Sequence, residues 1–236
     1  PSATSVDPMK RALSWGVHLF TASGAVFAAI ALIAIVNGDY RIAAFLMLVG
    51  LFIDSVDGTM ARRVGVSEHV PHIDGRRLDD LVDFLNYAIV PTVFLLALGA
   101  LPHWSWSAVP ILASAYGFSQ EEAKTEDDFF LGWPSYWNVL ALYVWLLDVS
   151  TPVATGLVVV CALAVFVPLK YVYPSKLRVW RAGTVLATLA WGCTMTAATL
   201  WPERVRALGL IEMSLLFPAY YLGLSAWLGG WLRRGA

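Results

Sequence analysis

DSVDGTMARRVGVSEHVPHIDGRRLDDLVDFLNY, residues 54–87, is the stretch on which the reading of the chain turns. It holds seven of the seventeen acidic residues, Asp54, Asp57, Glu68, Asp74, Asp79, Asp80 and Asp83, yet long apolar runs flank it on both sides. Carboxylates at a membrane boundary are costly and mark a functional site by default. The composition supports that boundary. Hydrophobic residues make up 58% of the 236 residues, charged residues 14%, and the mean hydropathy is +0.66. Apolar runs of about twenty residues recur, the length a bilayer-crossing helix needs. The fold class is therefore all-α: a polytopic integral membrane helix bundle forming a single domain over residues 1–236.

Outward from the acidic stretch, the apolar runs predict eight transmembrane helices. They cover about 12–36, 41–62, 77–100, 105–119, 136–148, 152–169, 182–200 and 209–232. The first run follows Lys10 and Arg11 but is too long for a signal peptide and continues into further spans. Cys161 and Cys193 lie inside apolar runs and read as small apolar fillers, not as a disulfide framework. The net charge of −1 says little, whereas the distribution of charge says more. An even number of spans puts both termini on one side. That side collects thirteen of the sixteen Lys and Arg residues; Arg41, Arg204 and Arg206 fall on the other. The positive-inside rule then makes both termini cytoplasmic, together with the acidic stretch and the loops at 120–138 and 170–181.

Asp54 and Asp57 are three apart and share a helix face. Gly58 and Ala61 follow at one-turn spacing, small enough for a ligand to approach the backbone. Asp79 and Asp83 are four apart and also share a face, with Gly75 one turn earlier. Two helix ends joined by a short loop can thus aim four carboxylates at one spot. Their mutual repulsion calls for a divalent cation, and an all-oxygen donor set suits Mg²⁺, Mn²⁺ or Ca²⁺. Arg62 and Arg63 add the positive rim that a phosphate-bearing ligand wants. On spacing alone the same residues also suit a solvated polar loop, and Asp79 is not separable from Asp80, which lies three before Asp83.

These residues carry a resemblance. Asp54-x2-Asp57-Gly58-x2-Ala61-Arg62 followed by Gly75-x3-Asp79-x3-Asp83 is similar to the signature of the CDP-alcohol phosphotransferases. The segment between Arg62 and Gly75 is longer than is usual in that family and resembles that of its bacterial phosphatidylcholine synthase branch. Further matches are His18-Leu19-Phe20-Thr21-Ala22-Ser23-Gly24, Asp83-Phe84 with Tyr87, and Lys124-Thr125 with Phe129-Phe130-x-Gly132-x-Pro134-x2-Trp137-Asn138. The likeness spans roughly residues 11–181; beyond it only hydropathy matches. The resemblance implies that Asp54, Asp57 and Asp79 bind divalent metal at a nucleotide diphosphate. Asp83 joins a second metal and serves as the catalytic general base. Thr21, Asp57, Gly58, Ala61, Arg62 and Gly75 line the CDP site. His18 stands where the family has asparagine.

The implied reaction moves the phosphatidyl group of CDP-diacylglycerol to an alcohol, choline, and releases CMP. It uses two divalent ions, Mn²⁺ or Mg²⁺, at the cytoplasmic face of a bacterial inner membrane. Expected partners are both substrates, CMP and membrane lipid, with a homodimer as the candidate assembly and no nucleic acid. Acceptor-binding candidates are Tyr87, one turn from Asp83, and Lys124, Trp133, Trp137 and Asn138 in the acidic, aromatic 120–138 loop. The aromatics there, Phe129, Phe130 and Tyr136 among them, suit either an interfacial belt or a cage for a quaternary ammonium. Serine, glycerol or a polyol as acceptor leaves the chemistry unchanged. A divalent-cation transporter is the alternative from another class, although it wants its carboxylates near the bilayer midplane. His69-x2-His72 has a spacing seen in zinc sites but lacks further His or Cys ligands, so it reads as loop.

Overall fold

The computed structural model describes residues 7–120, 125, 127–177 and 179–231. α1 (Pro8–Val36) opens with Asp7 as its N-cap, the carboxylate accepting from the Met9 N–H at 2.9 Å. Pro8 fills the first turn, where a missing N–H leaves nothing unpaired. α2 (Tyr40–Val64) packs along α1 and ends at Gly65, which takes a left-handed φ of 71° and donates to the Ala61 carbonyl. The loop expected at 63–76 contains one short helix, α3 (Val66–His69). α4 (Gly75–Asp83) then starts with Asp74 as N-cap, its Oδ1 accepting from the Arg77 N–H at 3.1 Å.

From α4 the backbone runs through a π-helical segment, Phe84–Ile89, into α5 (Val90–Ala97), so that Gly75–Ala97 is one continuous helix of 23 residues. The π-segment has two local causes. Pro91 brings no N–H to the helix interior, so the ladder must rearrange around it. Asn86 competes for the carbonyls, its Nδ2 donating to Val82 at 3.0 Å and across to Gly24 of α1 at 3.1 Å. The close approach depends on glycine. A Cβ at Gly24 would lie 2.7 Å from Val82 Cγ1, and one at Gly50 of α2 would fall inside the Asn86 amide.

After a 3₁₀ turn at Trp104–Ser107 come α6 (Ala108–Phe118), β1 (Phe129–Leu131), α7 (Trp137–Leu146), α8 (Thr151–Val165) and β2 (Lys170–Val172). α9 (Arg181–Leu200), α10 (Pro202–Ala207), α11 (Leu210–Ser214) and α12 (Leu216–Leu228) follow. β1 and β2 pair antiparallel, Phe130 opposite Tyr171. This ribbon joins the two loops that the charge distribution put on one side. Ala43, Ala44, Phe94, Trp137 and Ala141 are fully buried at the centre of the bundle. Leu19, Ile33 and Val36 on α1 stay exposed, as a lipid-facing surface requires.

The fold is mostly helical, and the chain is a multi-pass membrane protein. Where hydropathy predicts eight spans, four helices among the described residues are long and apolar enough to cross: Pro8–Val36, Tyr40–Val64, Gly75–Ala97 and Arg181–Leu200. The other apolar runs form shorter helices, because local chemistry interrupts them. The run at 105–119 spends its first turn as 3₁₀, and α7 is held between Pro134 and the left-handed Asp148 (φ 51°). α8 stops short of Pro168, and the last run is divided at Leu215 between α11 and α12.

The Asn86 clamp sets an expectation. Asn86→Ala removes two hydrogen bonds to buried carbonyls and leaves a void, a loss of about 2–4 kcal/mol. Thermal unfolding in detergent, followed by tryptophan fluorescence, should show the midpoint fall, and Gly50→Val should lower it further. An unchanged midpoint in Gly50→Val would refute the close packing.

Candidate active site

The clamp brings the C-terminal turns of α2 beside the first turns of α4. Asp54, Asp57 and Asp79 each present a carboxylate oxygen, and the three oxygens lie within 4.8 Å of one another. Asp57 is buried, and Thr21 of α1 donates to its Oδ2 at 2.9 Å. Asp54 accepts at its Oδ2 from the buried Tyr87 hydroxyl at 2.5 Å. At such a separation each pair of ionised carboxylates repels by roughly 3 kcal/mol for an effective dielectric of about 20. A cluster of hard oxygen donors on three rigid turns can hold a divalent cation, which removes that repulsion.

Two cavities meet at Asp54. The smaller, of about 30 Å³, is polar and takes in Asp57, Asp79, Gly58 and Arg62, with Tyr173 from the ribbon side. Arg62 is steadied by its Nη2 donating to Thr59 Oγ1 at 3.1 Å. The larger, of about 1050 Å³, starts at Asp54, Asp83 and Tyr87 and runs between α2 and α9 as far as Trp201. Its far walls are apolar, with Leu48, Leu51 and Phe52 facing Leu189 and Cys193. A phosphate-bearing head in the first cavity and an acyl tail in the second would share the carboxylates as their meeting point.

The structure separates Asp79 from Asp80, which spacing could not: Asp79 joins the carboxylate cluster, and Asp80 faces the large cavity. Asp83 lies one turn on from Asp79, also in the large cavity. Gly75 opens α4 against His18, whose Cε1 is 3.1 Å from where a Cβ would stand. Ala61 occupies the half-exposed turn of α2 next to Arg62. Of the loop residues, Trp133 lines the large cavity. Trp137 does not; it is fully buried and its Nε1 donates to Ser114 Oγ at 2.7 Å. Asn138 is buried as well, its Oδ1 capping the Val139 N–H at 2.8 Å. Lys124 lies outside the described residues. His69 is held by the Gly65 carbonyl at 2.7 Å, and His72 packs near Trp15.

Tyr136, a cage candidate from the sequence, lies in the cavity wall, joined there by two tyrosines that sequence reasoning did not place, Tyr173 and Tyr221. Their signal was weak, because each belongs to a different element. The ribbon that carries Tyr173 is tied by Lys170 to Asp127 at 2.5 Å and by Lys176 to Asp128 at 2.8 Å. The hydrogen bond from Lys170, aided by one from Thr125, holds the Asp127 carboxyl below the usual carboxylate range. The contribution of that tie is present above the ordinary carboxylate pKa and is lost only as pH falls through the lowered one.

Two outcomes test the cluster directly. Mn²⁺ binding to purified protein, read by electron paramagnetic resonance, should be lost or weakened at least tenfold in Asp57→Ala and little changed in Asp80→Ala. Tyr87→Phe should weaken Mn²⁺ binding by about three- to tenfold, since it frees Asp54 to turn away. Equal affinities in wild type and Tyr87→Phe would show that the phenol does not position Asp54.

Comparison with known proteins agrees with this geometry. Residues 18–217 match the model of a family described as CDP-alcohol phosphatidyltransferase. The chain is 44% identical over 187 residues to a phosphatidylcholine synthase of Legionella pneumophila, covering 77% of this chain and 72% of that one. It is 35% identical over 221 residues to a phosphatidylcholine synthase of Borreliella burgdorferi, covering 91% and 93%. It is 32% identical over 232 residues to one of Pseudomonas aeruginosa, covering 96% of both.

Proposed function

This chain belongs to the CDP-alcohol phosphatidyltransferase family, and from that premise we propose that it makes phosphatidylcholine from CDP-diacylglycerol and choline, releasing CMP. The observation that carries the reading is the cluster of three carboxylates within 4.8 Å at the junction of a small polar cavity and a large apolar one. The donor's diphosphate belongs at the junction, its nucleoside toward Gly58, Ala61, Arg62 and Gly75, and its acyl chains in the large cavity. Asp54, Asp57 and Asp79, together with Asp83, would hold a pair of divalent cations, Mn²⁺ or Mg²⁺. When bound, these supply positive charge to the diphosphate and to the departing oxygen.

Thr21 fixes the Asp57 carboxylate and Tyr87 fixes that of Asp54, so both face the diphosphate without needing to reorient. Asp83 stands on the acceptor side as general base. The choline hydroxyl oxygen forms a bond to the phosphorus that carries diacylglycerol. The bond from that phosphorus to the CMP oxygen breaks, the hydroxyl proton passes to Asp83, and CMP leaves with the electron pair. The basic residues gathered on one side support a cytoplasmic active site in a bacterial inner membrane, with the shorter helices completing eight spans and both termini on that side.

The decisive assay supplies purified protein with CDP-diacylglycerol, Mn²⁺ and labelled choline, serine, glycerol or ethanolamine, and identifies the lipid formed. Phosphatidylcholine should dominate, and Asp57→Ala or Asp79→Ala should lower its rate by at least a thousandfold. Serine or glycerol turning over faster than choline overturns the acceptor while leaving the phosphotransfer. Metal flux in liposomes without CMP release would instead favour a transporter. For orientation, Ser67 is exposed on α3. Ser67→Cys should react with a membrane-impermeant thiol reagent only after the inner membrane is opened; labelling in cells whose inner membrane is intact reverses the topology.

A further inference from the structure

Tyr87, Tyr136 and Tyr221 come from three elements: the π-segment, the start of α7, and α12. Their rings follow one another around the wall of the large cavity next to Asp83. Tyr87 and Tyr136 have centroids 6.0 Å apart at 48°, and Tyr136 and Tyr221 are 5.8 Å apart at 71°. Rings meeting at such angles form a corner rather than a stack. Tyr173 differs: its ring lies 4.5 Å from that of Phe130, and Lys176 sits 5.4 Å from its centroid, so it is already occupied.

Two of the corner phenols have their hydroxyls committed elsewhere: that of Tyr87 donates to Asp54, and that of Tyr221 donates to the Val172 carbonyl of β2 at 3.1 Å. From Tyr87 and Tyr221 the corner therefore offers π-faces and not phenolic donors. The charge around it is negative: Asp54, Asp80 and Asp83 line the cavity, and among the described residues Arg76 is its only basic lining residue. Lys170 and Lys176 are paired with Asp127 and Asp128. A ligand that fits such a corner is cationic, greasy and free of N–H groups that would demand acceptors. A carboxylate-bearing amino alcohol does not fit, for want of donors.

We propose that Tyr136 and Tyr221, with Tyr87 at their edge, form the subsite that selects a quaternary ammonium in the acceptor. This deepens the proposed function and rests on it. Tyr221 lies beyond residues 18–217, the part that matches the family as a whole. Choice of acceptor is thereby assigned partly to α12, and the shared chemistry to α2 and α4. β2 links the two, since Val172 receives the Tyr221 hydroxyl and donates to Ser225 Oγ of the same helix at 3.1 Å.

The test compares choline with 3,3-dimethylbutan-1-ol, its neutral isostere, in the purified full chain with CDP-diacylglycerol. Wild type should favour choline by about ten- to a hundredfold in kcat/KM, from two aromatic faces acting on one cation. Tyr221→Leu and Tyr136→Leu should each raise the KM for choline by about five- to twentyfold and erode that preference. Tyr221→Phe, which keeps the ring, should retain most of it. The KM for CDP-diacylglycerol should stay within about twofold, which also reports that each variant is folded. Should Tyr221→Leu fail to fold, the Leu and Phe pair at Tyr136 decides the matter alone. A choline-to-isostere ratio near one in wild type, or one unmoved by loss of either ring, overturns this subsite while phosphatidylcholine synthesis stands. If choline is not an acceptor at all, it is the proposed function that fails.

Discussion

The Asn86 amide fills a gap that exists only because residues 24 and 50 are glycine. In lipid the hydrophobic effect does not press one helix against another, so close contact and interhelical hydrogen bonds must do it. Asn86 supplies both: it bridges to Gly24 of α1 and fills the space beside Gly50 of α2. Its two hydrogen bonds contribute about 1 kcal/mol each. That is comparable with the roughly 3 kcal/mol by which two neighbouring carboxylates resist being brought together. The clamp alone would not outweigh three such pairs of ionised carboxylates, a repulsion that a bound cation would relieve. The π-segment is the backbone consequence of the same contact. It rotates Tyr87 relative to Asp83, so that one side chain reaches back to Asp54 while the other faces the cavity.

Because Asp54 borders both cavities, its orientation controls both. A carboxylate free to rotate could turn both oxygens into the larger space and leave the cluster. The short bond from Tyr87 prevents this, and Thr21 does the same for Asp57. Two of the three cluster carboxylates are thus oriented by neutral hydroxyls, which leaves the charge of the cluster undiminished for a cation. A lysine or arginine in either position would neutralise the site before a metal reached it.

Side chains spaced by helical periods were legible from sequence, and those brought together by irregular backbone were not. The pairs Asp54 with Asp57 and Asp79 with Asp83 are read directly from 3.6-residue geometry. Asp79 and Asp80 compete on spacing, and only the seating of α4 on α1, which turns Asp79 toward the α2 carboxylates, decides between them. The three-residue strands at 129–131 and 170–172 carry no usable period, so the ribbon and Tyr173 were invisible. Trp137 follows a Gly-x-Pro loop and looks interfacial, yet its indole N–H finds Ser114 and draws the ring into the core. Hydropathy identified the apolar runs at 105–119, 136–148 and 152–169 but not that turns and prolines shorten the helices they form.

The division of labour that emerges follows from which elements are rigid. α2 is held at Gly50 and α4 just beyond its end by the Asn86 clamp, so their carboxylates have little freedom, as a phosphoryl-transfer site requires. The ribbon and α12 are joined to each other by Val172, Ser225 and Tyr221, and by the Trp231 indole donating to the Lys170 carbonyl at 2.7 Å. α12 reaches the Tyr87 ring through Tyr136, by aromatic contacts rather than by ion pairs. An aromatic contact tolerates small displacements, whereas a carboxylate cluster does not. On the proposed reading, a wall that meets the acceptor can therefore vary in sequence without disturbing the carboxylate cluster. That is the arrangement expected where one chemistry serves different alcohols.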